Sequence, residues 1–398
     1  MRAKANNEKD HRRHIRVFKI FSPLMRLFMK SKFNYVYDSI PKSVGPYLLL
    51  CNHNTNFDPI LLGLAAGQQI YFVASEHIMR KGLGTWFLKR YFDPIIHLKG
   101  KAGLNTIANM LKSLKAGFNV MIFPEGNRSF NGLTCEYQAS IGKLARKSGA
   151  TLVTYRLEGG YLSQPRWGFT TRKGKLNGRL VHIYGAEELN GMTDDAINEA
   201  IVSDLYEDAY KTEKREKTEF KGRRLCYGLE STIFTCPRCK KIGTLKSSDT
   251  TLSCECGYSA VYNTYGELVE SDGTSMTVTE LDNVQQTELE AKVLDMLKNK
   301  SQEPLFSDEI TAEAIGENHE VTRVLSGTVT AYADRAEFNG AVISPMDLSG
   351  MAIHSRNTIV AHTAKDGIQY EIKGKKECFS ALKYLYLYNI LNKNFVDK

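Results

Sequence analysis

The chain has 398 residues, enough for two or three cores, and its 42% hydrophobic and 24% charged content excludes a disordered or fibrous polypeptide. No stretch approaches eighteen uninterrupted apolar residues, so no membrane-spanning helix is expected. The net charge of +9 is concentrated at one end, where residues 1–32 carry ten Lys or Arg against Glu8 and Asp10.

That basic arm also has an apolar pattern. Val17, Ile20, Phe21, Leu24, Leu27 and Phe28 recur at helical spacing with the cations on other faces, as in a helix lying on an anionic membrane. Pro23 should divide the arm into two short helices. Arg16, Lys19 and Arg26 interrupt its apolar residues, so it does not resemble a signal peptide. The expected location is therefore the cytoplasm, peripheral on the inner face of a membrane.

Residues 46–51 read as a buried strand, followed by Cys51-Asn52-His53-Asn54-Thr55-Asn56-Phe57-Asp58-Pro59 and a helix from Asp58 to Ala66. Asp58 before Pro59 has the form of a helix N-cap. A turn between His53 and Asp58 would also let the carboxylate reach the imidazole. A histidine so held can take a proton from a hydroxyl near neutral pH.

Further strands are expected at 71–74, 94–98 and 120–123, with helices at 79–91 and 104–115 between them. Strands at 152–157 and 180–184 and one long charged helix from Asp194 to about Phe220 complete this region. The alternation points to an α/β fold, a mixed, largely parallel sheet covered by helices. Ligands of such sheets bind beyond the carboxyl ends of the strands. His53 lies at one such end. Phe123-Pro124-Glu125-Gly126-Asn127-Arg128-Ser129 lies at another, with a glycine that lets backbone approach a ligand and an arginine suited to a phosphate.

Together the two stretches resemble the glycerolipid acyltransferase family, the 1-acylglycerol-3-phosphate acyltransferases. Its signatures are His-x4-Asp and Phe-Pro-Glu-Gly-x-Arg-Ser, in this order. The resemblance covers roughly residues 15–215. It implies an enzyme of phospholipid synthesis that moves an acyl group from acyl-CoA or acyl carrier protein to a lysophospholipid hydroxyl. His53 and Asp58 would be catalytic, and Glu125, Gly126, Arg128 and Ser129 would bind substrate. Lys99 or Lys101 would serve as the basic residue that the family carries in the segment corresponding to residues 95–102, where this chain lacks the usual acidic neighbour. Thr154 stands where proline is usual. No catalytic metal or organic cofactor is implied.

Cys236-Pro237-Arg238-Cys239 and Cys254-Glu255-Cys256-Gly257 look like the two knuckles of a small zinc ribbon, the second tighter than the usual Cys-x2-Cys. Four thiolates make a closed tetrahedral site, so one structural zinc is expected. Residues 281–299 read as a helix. Short strands from Val324 onward and a terminal helix at 381–391 give a mostly β C-terminal domain with the outline of a pleckstrin-homology-like barrel. The expected organisation is a basic amphipathic arm (1–32), an acyltransferase domain (33–220), a zinc-ribbon-like domain (221–265), a helical linker (266–320) and the β-rich, PH-like domain (321–398).

Two other readings compete. A nucleic-acid-binding protein could use the ribbon and basic arm with the α/β part as scaffold, but the arm and ribbon lie some two hundred residues apart and the ribbon lacks interleaved aromatics to stack bases. Metal-dependent hydrolysis through His53 and Asp58 lacks a third ligand nearby. No nucleic-acid partner is expected. A Gly-x-Ser-x-Gly elbow is absent too, the stretch from Gln138 to Gly142 lacking its first glycine.

Overall fold

The computed structural model describes residues 8–77, 83–97, 103–137, 140–316 and 320–396. The chain divides into two compact units. Among the described residues, the first runs to 221 without 166–171, and the second comprises 166–171 and the remainder from 222.

In the first unit, helix α1 (Glu8–Phe33) is followed by β1 (Val36–Tyr37), β2 (Tyr47–Cys51), α2 (Asp58–Ala66), β3 (Tyr71–Ser75), α3 (Leu83–Tyr91), β4 (Ile95–His97), α4 (Leu104–Lys115) and β5 (Val120–Ile122). Then come α5 (Ser140–Ser148), β6 (Thr151–Glu158), α6 (Gly160–Ser163), β7 (Asn177–Tyr184), α7 (Ala186–Gly191), α8 (Asp194–Leu205) and α9 (Ala209–Glu216). The seven strands form one sheet in the order β1-β7-β6-β2-β5-β3-β4. All neighbouring pairs are parallel except β6 and β7.

The central strand β2 explains its own sequence. Tyr47, Leu49 and Cys51 enter a core with residues of α1 and α2, whereas Leu48 and Leu50 enter a second core with residues of α4, α5 and α8. A strand covered on both faces has no polar side, so its five residues form an unbroken apolar run. The polar turns at its carboxyl end and at that of its neighbour β5 thereby come to one rim of the sheet.

Two sequence expectations change here, and one helix is added. The arm is one helix, not two: α1 continues through Pro23. Pro23 and Lys19 both lie on its exposed face, where water can take the carbonyl that the missing N–H leaves. The long helix expected from Asp194 breaks into α8 and α9. Residue 207 pairs with residue 134, Thr134 N donating to the Glu207 carbonyl at 3.1 Å and Glu207 N to Thr134 Oγ1 at 2.8 Å. Asp208 then caps α9. Helix α5 carries its buried Ile141, Leu144, Ala145 and Ser148 at helical spacing and was not read from the sequence.

The second unit opens with five antiparallel strands, β8 (Leu245–Ser247), β9 (Thr251–Cys254), β10 (Ser259–Tyr262), β11 (Glu267–Glu270) and β12 (Ser275–Thr277), paired in sequence order. Helix α10 (Val278–Lys298) begins at a capping box of Thr277 and Glu280. Seven antiparallel strands follow: β13 (Phe306–Ile315), β14 (Val321–Ala331), β15 (Ala336–Phe338), β16 (Ala341–Ile343), β17 (Leu348–His354), β18 (Thr358–Thr363) and β19 (Gln369–Gly374). Their order is β16-β15-β14-β13-β19-β18-β17, and helix α11 (Leu382–Val396) closes the chain. Residues 266–320, expected as a helical linker, therefore hold strands β11, β12 and β13 as well as a helix. In β13 the inward positions include small alanines, Ala312 and Ala314, on either side of Glu313, which hides the period of two.

Candidate active site

The turn after β2 folds around one carboxylate. Asp58 is the first residue of α2, not its cap; Phe57 holds that place and makes no side-chain bond there. The Asp58 side chain instead reaches back over the turn. Its Oδ2 accepts from His53 Nδ1 at 2.8 Å, Asn54 N at 2.7 Å and Thr55 N at 2.9 Å, and its Oδ1 from Thr55 Oγ1 at 2.5 Å. The carboxylate is fully buried and His53 is 22% exposed. Four donors compensate the lost water of one buried anion, which makes a well-satisfied site. A carboxylate can only accept, so Nδ1 carries the hydrogen and Nε2 is the basic nitrogen of the ring. Phe123, from the second motif, stacks on the imidazole with centroids 4.3 Å apart and planes 19° from parallel.

Glu125 ties the two motifs together. It is buried; its Oε1 accepts from His53 N at 2.6 Å and its Oε2 from Cys135 N at 2.7 Å. Both oxygens, expected to meet substrate, are thus taken by main-chain amides. Burial pushes this carboxyl up to about 8, against the pull of those amides. Ser129 is similarly engaged: its amide donates to the His53 carbonyl at 3.0 Å, and its hydroxyl donates to Leu133 O and accepts from Gly132 N. Gly126 is exposed at φ 64°, and a Cβ there would meet nothing within 4 Å, so its left-handed backbone rather than space calls for glycine. Arg128 is half-buried on the same loop. Lys99 and Lys101 lie outside the described residues. Thr154 is fully buried and its hydroxyl donates to Asp204 Oδ2 at 2.7 Å, which places it in the sheet's interior.

Sequence reasoning missed a second buried carboxylate, Glu207, and the use made of Asn52 and Asn54. Asn52 and Asn54 donate to Glu207 Oε2 at 3.1 and 2.5 Å, and Gly159 N donates to Oε1 at 2.8 Å. Burial raises Glu207 to about 8 as well. Two asparagines flanking a candidate base were a visible signal. Their acceptor, about 150 positions away, was not.

In the second unit the four predicted cysteines come together. Cys236 and Cys256 Sγ are 3.6 Å apart, Cys239 and Cys254 Sγ 3.8 Å, and all four lie within 4.8 Å of one another. Zn–S bonds of about 2.3 Å in a tetrahedron put sulfurs about 3.8 Å apart, so the geometry of these thiols fits a closed four-thiolate metal site.

Comparison with known proteins bears on the first unit. The model of the Acyltransferase family matches residues 34–158, the stretch that holds both motifs. The chain is 25% identical over 165 residues to the chloroplastic 1-acyl-sn-glycerol-3-phosphate acyltransferase LPAT1 of Arabidopsis thaliana, covering 41% of this chain and 45% of that protein. It thus spans just under half the length of that curated relative. Among solved structures it is similar to the 1-acyl-sn-glycerophosphate (LPA) acyltransferase PlsC of Thermotoga maritima, at 19% identity and TM-score 0.42, covering 50% of this chain and 80% of that one. The second unit lies outside the matched family segment.

Proposed function

We propose that the first unit transfers a fatty acyl group from an acyl thioester, CoA or acyl carrier protein, to a hydroxyl of a lysophosphatidic-acid-like glycerol phosphate lipid. The observation that carries this reading is the His53–Asp58 pair, 2.8 Å apart at the carboxyl end of β2 beside the second motif. In the reaction, His53 Nε2 takes the hydroxyl proton as the oxygen attacks the thioester carbonyl. The tetrahedral intermediate collapses, the C–S bond breaks, and the thiol leaves with the proton. Asp58 keeps the ring in the right tautomer and stabilises the imidazolium that forms transiently. Arg128 would grip the acceptor phosphate through its guanidinium fork. Glu125 and Ser129 would hold the loops rather than touch substrate.

The lipid would be reached from a membrane surface. Ile20, Leu24 and Leu27 of α1 and Trp86 of α3 are exposed, and Phe21 meets Phe87 edge-on at 6.3 Å, so the apolar stripe of α1 extends onto α3. Arg16, Lys19, Arg26 and Lys30 lie exposed on α1, suited to anionic lipid. No helix among the described residues is long and apolar enough to cross a membrane. In the second unit, zinc on the four cysteines would stabilise a ribbon. Seven antiparallel strands followed by one helix support the PH-like outline.

The test is thioester consumption with lysophosphatidic acid, with acyl-CoA and acyl carrier protein as alternative donors and mass spectrometry of the lipid product. Formation of the diacyl product by either donor supports the reading. Thioester hydrolysis without lipid acylation would replace it.

A further inference from the structure

Three consecutive residues at the candidate base are each held by a different buried carboxylate. Asn54 N donates to Asp58 and His53 N to Glu125, while the side chains of Asn52 and Asn54 both donate to Oε2 of Glu207. The two asparagines are tied to β6 as well. Leu157 O accepts from Asn52 at 2.8 Å and Asn54 at 3.2 Å, and Leu157 N donates to Asn52 Oδ1 at 2.7 Å. Asn52, Asn54 and Glu207 are at most 4% exposed.

Glu207 belongs neither to a motif nor to the segment 34–158 that matches the acyltransferases. It sits in the break between α8 and α9, and its own backbone is fixed to Thr134 on the loop that follows the second motif. No cation lies within ion-pair distance of it among the described residues, and the charge of Arg156 only partly offsets its burial. Burying an unpaired carboxylate is expensive, and an apolar side chain would fill the same space at lower cost. Its three donors are Gly159 and the residues on either side of His53, so what it holds is the backbone that aims the imidazole.

We infer that Glu207 is a positioning residue for His53, acting through Asn52 and Asn54 to fix the imidazole against Asp58. The inference rests on the acyl-transfer reading for its kinetic arm and on geometry alone for its spectroscopic arm. Glu207→Gln keeps the shape but turns an N–H2 toward donors, so the turn loosens. In the full chain this should lower kcat by roughly 10- to 100-fold, the usual consequence of a misplaced catalytic group, with KM for acyl donor and lysophosphatidic acid unchanged. In a His53→Ala background the same substitution should leave the residual rate unchanged, because a residue that acts only through His53 has nothing left to position. The 15N–1H spectrum of the His53 ring should show a hydrogen-bonded Nδ1 proton in the native chain and its broadening or loss in Glu207→Gln.

Equal losses in both backgrounds, or an unaltered kcat in the folded variant, would overturn the inference. If the variant does not fold, Asn54→Ser removes the shortest of the three bonds and should give the same kcat-only loss. Failure of both variants to fold would assign Glu207 to the fold instead and also overturn it. A native chain that transfers no acyl group sinks the acyl-transfer reading but leaves the spectroscopic arm to decide the role of Glu207.

Discussion

The turn at His53 and the cysteine knuckles are both short patterns whose spacing announces a site, yet they are built on opposite principles. Around His53 the protein satisfies itself: four donors meet Asp58, two amides meet Glu125, and three donors meet Glu207. The four thiols converge within 4.8 Å, bonded to one another, to backbone amides and to Thr244, an arrangement that could hold a metal ion. One site is preorganised by the chain; the other would be completed by a metal ion.

The sharpest way to break that comparison is to remove the metal. Structural four-cysteine sites of zinc-finger type bind with an apparent free energy of about 10 to 16 kcal/mol at pH 7, so a strong chelator or Cys239→Ser should open strands β8 to β12 to protease. Elemental analysis of protein purified without chelator should return one zinc per chain. None, or unaltered protease resistance after chelation, would leave the thiols as a cluster without a cation. The His53 turn should behave otherwise: its hydrogen bonds are internal and survive chelation.

Next in size is the base itself. His53→Ala should leave zinc content unchanged and the fold intact, and lower acyl transfer by about 10²- to 10⁴-fold. Retained turnover would remove His53 from the chemistry and reduce the whole hydrogen-bonded turn to architecture.

How much of this was legible in the sequence follows from range. His53 and Asp58 are five positions apart and the cysteine pairs two or three, so spacing alone brings their ligand atoms together. Strand β2 was legible because burial on both faces leaves an unbroken apolar run. Glu207 was not: its place depends on a helix break with no Gly or Pro to mark it, decided by a bond to Thr134, a tertiary preference overriding local propensity. The cap role of Asp58 was misjudged for a related reason, because the same carboxylate can serve the helix or the turn and only the fold shows which donors reach it. Strand β13 was missed because alanines and acids blur its alternation.

Arg128 gives a smaller and more selective effect. Charge-assisted bonds to a phosphate contribute about 1.5 to 3 kcal/mol, so Arg128→Ala should raise KM for a phosphate-bearing acceptor by about 10- to 100-fold while KM for the acyl donor stays constant. Arg128→Lys keeps the charge without the fork and should recover only part of this. A change in the donor term instead would move the arginine to the carrier's phosphate. A lower melting temperature with both terms unchanged would make it a structural ion-pair partner.

The last test separates the two buried glutamates from ordinary surface acids. Burial is the largest cause in both, raising Glu125 and Glu207 from 4.5 to about 8. A carboxyl whose pKa is higher in the folded chain binds its proton more tightly there. Its contribution to stability is therefore full below about 4.5 and is lost as pH rises through about 8, above which both states are ionised and the curve is flat. Within that window each group can tilt the unfolding free energy by at most about 1.4 kcal/mol per pH unit. Glu207→Gln removes one such titration. Urea unfolding of the native chain and of Glu207→Gln at a series of pH values from 5 to 9 should show the native chain gaining on the variant as pH falls from 8 toward 5. A constant difference across that range would mean that the amides of Gly159, Asn52 and Asn54 hold Glu207 as a charged group throughout, the state in which it grips the His53 turn most firmly.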